Sequence, residues 1–363
     1  MATSSEPIEA VSQRLDKFLS EQLSYASALG PEAESFTRSG ASALQGGKRL
    51  RARFCLAGWR AVRALDAPAS PPFDEPALAV ATSLEIFHAA ALVHDDLVDN
   101  SDTRRGQPAA HRALQKAHQD ADWAGDPDAF GRSGAILLGD LLVAWSDDLL
   151  EAGLESHPHA ASTRRAYARM RRDVTVGQFL DVAEESAYAV YPDESHAERA
   201  LRIASYKSAR YSIQQPLQIG AALAGADEAQ LDSLGRFGHD VGMAFQLRDD
   251  VLGVFGDSVV TGKPVGDDLR EGKRTVLVAY AREILSADDR ARFDTLLGDP
   301  DLDAAQIAAL QRTIADTGAL ERTEGLIADY ARQADLALDA ARVDTAALED
   351  LRALARAATE RAA

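Results

Sequence analysis

The sequence predicts an all-α protein, a single large helical bundle. Three observations predict it. Segments rich in Ala, Leu, Glu and Arg dominate the chain, and these are strong helix formers. Apolar residues recur at i, i+3, i+4 and i+7, the period of one helix face. No stretch shows the convincing alternation of a half-buried strand. At 46% hydrophobic over 363 residues the chain can build a sizeable core, so general disorder is excluded.

Taken in order, the periodicity places helices at 7–28, 32–44, 48–66, 75–100, 108–119, 131–152, 160–188, 196–224, 227–255, 273–285, 287–297, 303–316, 318–340 and 344–361. Loops rich in Pro, Gly and Asp separate them at 67–74, 120–130, 189–195 and 256–272. No linker divides compositionally different halves, and no repeat of fixed period is present. The expected organisation is one domain over 1–363, with a core at about 40–285 and a helical cap at about 286–363. The short Asp/Ala-rich helices of that cap read as a solvated subdomain.

Lys plus Arg number 39 and Asp plus Glu 57, a net charge of −18. A broad nucleic-acid footprint needs a basic face, so nucleic acid is excluded as a partner. The single cysteine, Cys55, rules out an intramolecular disulfide and a cysteine-rich zinc site, and its apolar neighbours make it an inert core thiol. The N-terminus carries no secretory pattern, and no apolar run reaches bilayer-spanning length. The expectation is a soluble, cytoplasmic protein without an integral membrane segment.

The most informative stretch closes the apolar helix at 75–100, where Asp95, Asp96 and Asp99 follow the spacing D-D-x-x-D. At i and i+4, Asp95 and Asp99 share one face. They also stand at the negative end of the helix dipole. Such a cluster suits a hard divalent cation, typically Mg²⁺; a solvated helix end is the alternative. Arg104-Arg105-Gly106 follows, and guanidinium groups bind phosphate oxygens bidentately. This is the layout of a Mg²⁺–diphosphate site, or of an intramolecular ion pair. A second acidic pair, Asp249-Asp250, closes the helix at 227–255, and a loop rich in Gly and Lys follows it. Two such helix ends facing each other would hold metal between them. Gly46-Gly47-Lys48-Arg49-Leu50-Arg51 opens a helix with basic side chains at its start, a good anion site.

Five features stand in one order: GGKRLR, DDLVD with RRG, GQ-FLD, FQLRDD, and TGKP-GDDLREGK. In these the chain resembles the trans-isoprenyl diphosphate synthases, or polyprenyl synthetases, over roughly residues 40 to 285, and most resembles bacterial geranylgeranyl diphosphate synthases. The resemblance implies a helical bundle around a central apolar cavity, and condensation of isopentenyl diphosphate with an allylic diphosphate (dimethylallyl, geranyl or farnesyl). It implies three Mg²⁺ ions per site, with Mn²⁺ as a substitute, and a homodimer. Carried over by position, Lys48, Arg51, His88 and Arg105 form the isopentenyl diphosphate pocket, and Arg104 clamps the allylic diphosphate. Asp95, Asp99 and Asp249 ligate metal, supported by Asp96 and Asp250. Lys207, Lys263 and Lys273 neutralise the leaving diphosphate. Ser208, where the family commonly has Thr, and Gln246 stabilise the allylic cation. Gln178 and Asp181 line the same cavity. The second acidic motif departs from the family pattern in carrying Gly253 where a third Asp is common.

Product length follows from the residues below Asp95. In the family a bulky residue four or five positions earlier stops growth, and here these positions are the small Ala91 and Ala90. Phe87, about 12 Å below Asp95 at ~1.5 Å per residue, is the candidate floor. The expected product is C20, geranylgeranyl diphosphate, with farnesyl (C15) or longer products as alternatives. A class I terpene cyclase or a non-catalytic subunit of a heteromeric synthase are the alternatives from other classes. The D-D-x-x-E of Asp147 to Glu151 reads as a solvated helix end, the run Arg164 to Arg172 as a salt-bridged helix face, and Phe179 as cavity wall or core.

Overall fold

The computed structural model describes residues 6–63, 65, 73–256 and 265–359. Among these, regular structure is helical apart from one small ribbon. The helices are α1 (Glu6–Ser27), α2 (Pro31–Ala43), α3 (Leu50–Arg63), α4 (Glu75–Val98), α5 (Ala110–Asp120), α6 (Pro127–Leu154), α7 (Ala160–Ala187), α8 (His196–Ile203), α9 (Gln215–Leu223), α10 (Glu228–Phe255), α11 (Asp267–Arg270), α12 (Val276–Ile284), α13 (Ala287–Leu296), α14 (Ala304–Asp316), α15 (Ala319–Asp339) and α16 (Thr345–Thr359). A π-helical segment, Ala204–Gln214, joins α8 to α9. The ribbon pairs β1 (Thr103–Arg104) with β2 (Gln107–Pro108), so Arg104 lies in β1 and Arg105 in the turn.

Local chemistry fixes the helix starts. Asp74 accepts a hydrogen bond from Ala77 N, and Asp126 one from Asp128 N, each just before a proline in the first turn. Asp126 and Pro127 start α6 four residues earlier than periodicity placed it. Asp227 with Gln230, and Asp303 with Gln306, form reciprocal capping boxes. The helix expected from residue 48 begins at Leu50, because Gly46, Gly47 and Arg49 have positive φ. Lys48 and Arg49 therefore stand ahead of the helix.

The central helix is α4, buried on nearly every side. By length and composition alone it could cross a membrane, with a mean hydropathy of 1.6, contrary to the sequence reading that no run was long enough. Within the fold 72% of that window is buried, as befits a core helix. It packs along α6, and α3 packs along α9. Glycine sets the second approach: a Cβ on Gly220 would lie 1.8 Å from Cys55 O. Cys55 is buried, and burial pushes its thiol far above the ordinary range.

The C-terminal helices are more than a solvated cap. α15 packs along α10, and α16 places Ala347, Leu351 and Ala358 in one apolar cluster with Phe54 and Phe237. Arg248, inside the second acidic motif, donates from both terminal nitrogens to Glu324 of α15, at 2.5 and 2.7 Å. The tail thus braces the helix that ends in Asp249 and Asp250.

Candidate active site

A cavity of about 860 Å³ opens between α3, α4, the π segment, α10 and residues 267–275. It has an acidic end and a basic end.

Next to the acidic end, behind the lining residues Arg104 and Lys207, Asp95 and Asp99 sit one turn apart at the close of α4, where Asp99 N donates to Asp95 O. Gln178 Nε2 of α7 donates to Asp95 Oδ1 at 2.7 Å. Lys207 and Arg104 each stand 3.7 Å from the Asp95 carboxylate, and Lys207 also donates to Asp181. Burial, then the charge of Asp95, raises Asp99 to about 6. Asp96 is 3% exposed and accepts twice from Arg104, through Nε at 2.8 Å and through Nη2. It holds Arg104 in place, so its role lies in orienting that guanidinium. Burial opposes the charge on Lys207, but Asp181 and Asp95 outweigh it and hold the ammonium above its ordinary range.

Asp249 and Asp250 line the opposite wall with Gln246, whose Nε2 donates to Asp250 Oδ1 at 2.7 Å. Burial, then Asp268, raises Asp250 to about 8. Lys273 also lines this wall and pairs with Asp268 at 3.2 Å and Glu271 at 2.6 Å. Lys263 lies outside the described residues.

At the basic end, Lys48, Arg49, Arg51, His88 and Arg105 line the cavity together. Arg51 stacks over the Tyr211 ring, 4.2 Å from its centroid, and donates to Ser212 Oγ at 2.9 Å. Arg105 donates to Gln45 O at 2.9 Å and rests beside Gly47, where a Cβ would meet its guanidinium at 3.0 Å. Burial, then the charges of Arg51, Arg105, Arg104 and Arg49, drives His88 well below its ordinary range, so the free imidazole is neutral. Two members escaped the sequence reading. Glu85 is buried, accepts from Ala52 N at 2.9 Å, and stands 3.8 Å from Arg49. Tyr211 carries Arg51 and faces His88 Nδ1 through its hydroxyl at 3.3 Å. A charged residue inside the apolar run Leu84-Glu85-Ile86-Phe87 was the available signal for Glu85.

Between the two ends runs the π segment, which presents Lys207 and Ser208 to the cavity. π-helical backbone is rare and concentrates at functional sites. Glycines admit it on both sides: a Cβ on Gly177 of α7 would lie 2.4 Å from Lys207 N, and one on Gly242 of α10 2.5 Å from Ala209 O. The continuous α-helix expected at 196–224 is therefore interrupted where the lysine is needed.

Below the acidic end, Phe87 is buried and packs edge-on against Tyr167 and Tyr211, with ring centroids 6.5 and 6.0 Å apart. Ala91 is half-buried one turn above. Ala90 does not join them. It is fully buried in the apolar cluster that α4 shares with Leu138 and Leu142 of α6. Five residues before Asp95 is about 140° around the helix from it, so Ala90 faces α6.

Two sequence features resolve together. Asp147 and Glu151 of α6 pair with Arg171 and Arg164 of α7, at 2.5 and 2.6 Å. The second acidic run and the basic run thus neutralise each other across two helices. Phe179 is neither core nor cavity wall, being 68% exposed on α7.

Among the described residues, no group of three Asp, Glu, His or Cys side chains is close enough as placed to hold a metal ion. The donor chemistry nevertheless fits a hard cation. The carboxylates offer oxygen ligands. Asp99 and Asp250 have raised pKa values from burial and like charge, the condition a divalent ion relieves.

Comparison with known proteins bears on this geometry. The polyprenyl synthetase family model matches residues 34–314. The geranylfarnesyl diphosphate synthase of Aeropyrum pernix is 33% identical over 80% of this chain and 82% of its own. The geranylgeranyl diphosphate synthase of Mycobacterium tuberculosis is 37% identical over 56% of this chain and 51% of its own. Among solved structures, the Corynebacterium glutamicum geranylgeranyl pyrophosphate synthase, complexed with isoprenyl diphosphate and magnesium, superimposes with a TM-score of 0.91 at 38% identity, covering all of both chains. With these matches spanning the helices that build the cavity, the chain belongs to the polyprenyl synthetase family of prenyltransferases.

Proposed function

We propose that the chain condenses isopentenyl diphosphate with an allylic diphosphate to give a linear all-trans C20 product, geranylgeranyl diphosphate. One observation carries this reading: a single cavity offers two anion sites of opposite design. One is made of fixed cations, Lys48, Arg49, Arg51 and Arg105. The other is made of carboxylates that accept an anion only with a cation between.

The fixed cations bind isopentenyl diphosphate, and a bound dianion draws His88 towards its protonated form. Arg104, oriented by Asp96, clamps the allylic diphosphate. Asp95, Asp99 and Asp249 would hold magnesium, with Asp250 in support. When bound, magnesium supplies positive charge that draws electron density out of the allylic C–O bond. Lys207 and Lys273 neutralise the departing diphosphate. Oxygen dipoles of Ser208 and Gln246 face the allylic cation, which the double bond of isopentenyl diphosphate attacks. Attack leaves the positive charge on the isopentenyl unit, and a proton from the carbon adjacent to that charge passes to the departing diphosphate as the new double bond forms. Buried apolar walls keep water from the cation.

The small Ala91 above Phe87 supports a cavity deep enough for C20. A homodimer is supported by exposed Ile136 and Leu137 on α6 and Val176 and Phe179 on α7. Exposed apolar side chains of this kind mark protein interfaces. Sedimentation of the wild type and of Phe179→Glu tests it; a monomeric wild type refutes it.

Purified protein with Mg²⁺, isopentenyl diphosphate and each allylic primer in turn, with products separated by chain length, tests the activity. C20 is the expected main product, and no condensation with any primer refutes the reading. Asp95→Ala is expected to lower kcat by about 10³-fold or more, on the scale of losing one preorganised charge; full activity in that variant refutes the site.

A further inference from the structure

The π segment is braced on the face it turns away from the cavity. Lys207 and Ser208 line the cavity, and Ser205 and Arg210 do not. Arg210 Nε donates to Ser205 Oγ at 3.1 Å. Ser205 Oγ stands 3.2 Å from His239 Nε2 of α10, and His239 Nδ1 stands 3.1 Å from Asp240 Oδ1. A carboxylate only accepts, so in the neutral imidazole Nδ1 carries the proton and Nε2 accepts from the Ser205 hydroxyl. Every donor then points one way, from Arg210 through Ser205 and His239 to Asp240. On its other side Arg210 Nη1 faces Asp173 Oδ2 of α7 at 4.0 Å. Gln215 Nε2, where α9 begins, donates to that same oxygen at 2.7 Å. Arg210 also stacks over Tyr206, 3.9 Å from the ring centroid. Ser205 is 8% exposed and its oxygen is engaged by a guanidinium, so the order Ser–His–Asp is not that of a nucleophile here.

Ser205 and Arg210 are five residues apart. An α-helix would set them about 140° apart around its axis, whereas the i→i+5 backbone of a π-helix brings such residues towards one face. The Arg210–Ser205 bond therefore favours the π register over the α register. The brace also ends beside the glycines that admit the segment. Asp173 stands one turn before Gly177 on α7, and His239 one turn before Gly242 on α10. The glycines make room for the segment, and the brace selects its register. We infer that Arg210 and Ser205 are positioning residues of the condensation: held between Asp173 of α7 and the His239–Asp240 pair of α10, they keep the segment in the register that presents Lys207 to Asp95 and the departing diphosphate. The inference rests on the proposed role of Lys207.

A double-mutant cycle on the full chain tests it, alongside thermal melting. The readout is the single-turnover rate of condensation with Mg²⁺, isopentenyl diphosphate and the allylic diphosphate that the wild type condenses fastest. Arg210→Met keeps the stem and removes the guanidinium. It is expected to slow the step by about 10–100-fold, the scale of a misplacement of up to ~1 Å. With Lys207→Ala already present, Arg210→Met is expected to add about twofold or less, whereas independent sites would multiply their losses. A merely structural role would give that multiplication. Folded Arg210→Met at the wild-type rate overturns the inference, as does a double variant in which the two losses multiply. Should Arg210→Met fail to fold, Ser205→Ala, which removes a single oxygen, takes its place in the cycle under the same two criteria. A wild-type rate in Lys207→Ala, or no condensation by the wild type with any allylic primer, overturns the parent reading instead.

Discussion

Gly177→Ala tests whether the π segment places Lys207, the lysine proposed to neutralise the departing diphosphate. The added methyl would lie 2.4 Å from Lys207 N, 2.5 Å from Tyr206 C and 2.8 Å from Lys207 Cα. Ordinary contact begins at 3.4 Å, so α7 and the π segment must separate by about 1 Å. All three obstructing atoms are backbone, so no side chain can yield in their place. Overpacking of this kind costs about 1–3 kcal/mol, a melting decrease of about 1 °C per kcal/mol in a chain of 363 residues. The functional effect is larger. Lys207 reaches Asp95 at 3.7 Å and also holds Asp181. A misplacement of about 1 Å costs on the order of 10²-fold, about 2.7 kcal/mol in the barrier. The loss should fall chiefly on kcat; KM for isopentenyl diphosphate should rise less, because the π segment reaches its proposed pocket only through Tyr211 and Ser212 at Arg51 and His88, while Lys48 and Arg105 lie outside the segment. Steady-state kinetics and thermal melting measure both. Gly325→Ala is the control: Gly325 lies in α15 with nothing within 4 Å, and its change should be neutral or stabilising by up to ~1 kcal/mol. Full kcat with an unchanged melting temperature in Gly177→Ala refutes the reasoning.

Three further outcomes are expected. Phe87→Ala removes the floor between Tyr167 and Tyr211 at a stability cost of about 3–5 kcal/mol; products from a farnesyl primer should lengthen beyond C20, and an unchanged distribution refutes the floor. Asp250, raised to about 8 in the fold from 3.8, binds its proton more tightly folded than unfolded. The unfolded chain therefore holds fewer protons, and metal-free stability falls as pH rises from the ordinary carboxylate range to about 8, by roughly 1 kcal/mol per pH unit, then levels. The histidines lowered by burial titrate near 6.5 in the unfolded chain and raise stability with pH in wild type and variant alike, so urea unfolding between pH 6.5 and 8 should show the wild type losing stability relative to Asp250→Asn. Removal of divalent cation should abolish binding of an allylic diphosphate while leaving isopentenyl diphosphate bound, as titration calorimetry can distinguish; equal loss of both refutes the two-site design.

What was legible in the sequence was local. The caps at Asp74 and Asp227 and the i, i+4 pair Asp95 and Asp99 are written in adjacent residues, as is the cap at Asp126 that the periodicity passed over. The five ordered motifs named the family for the same reason. What was not legible depends on distant parts meeting. The π segment arises because Gly177 and Gly242, 65 positions apart, press on its backbone from two sides. Asp268 stands inside the fifth motif, but nothing in the sequence tells that the chain folds it against Gly253. The salt-bridged face of α7 was read from composition, but its partners, Asp147 and Glu151, were assigned to solvent. Ala90 was misplaced by one residue of helical rotation, about 100°, which geometry alone could have corrected.

The net charge of −18 and an anionic substrate are reconciled by where the neutralisation occurs. At the basic end, guanidinium groups converge on the cavity with Glu85 as the buried acid among them, and Glu85 is already engaged by Ala52 N and Arg49. That pocket is cationic at any metal concentration. At the acidic end, these described cations are spent on the protein's own carboxylates: Arg104 on Asp96, Lys207 on Asp181, Lys273 on Asp268 and Glu271. A diphosphate entering there meets no free positive charge among these pairs until a divalent ion takes the carboxylates and releases the lysines. In the proposed reaction the leaving group is thereby bound only where it can be activated, and the nucleophile is bound where it cannot. Two diphosphates of similar charge are thus kept in separate roles by one end that is always positive and one that becomes so on metal binding.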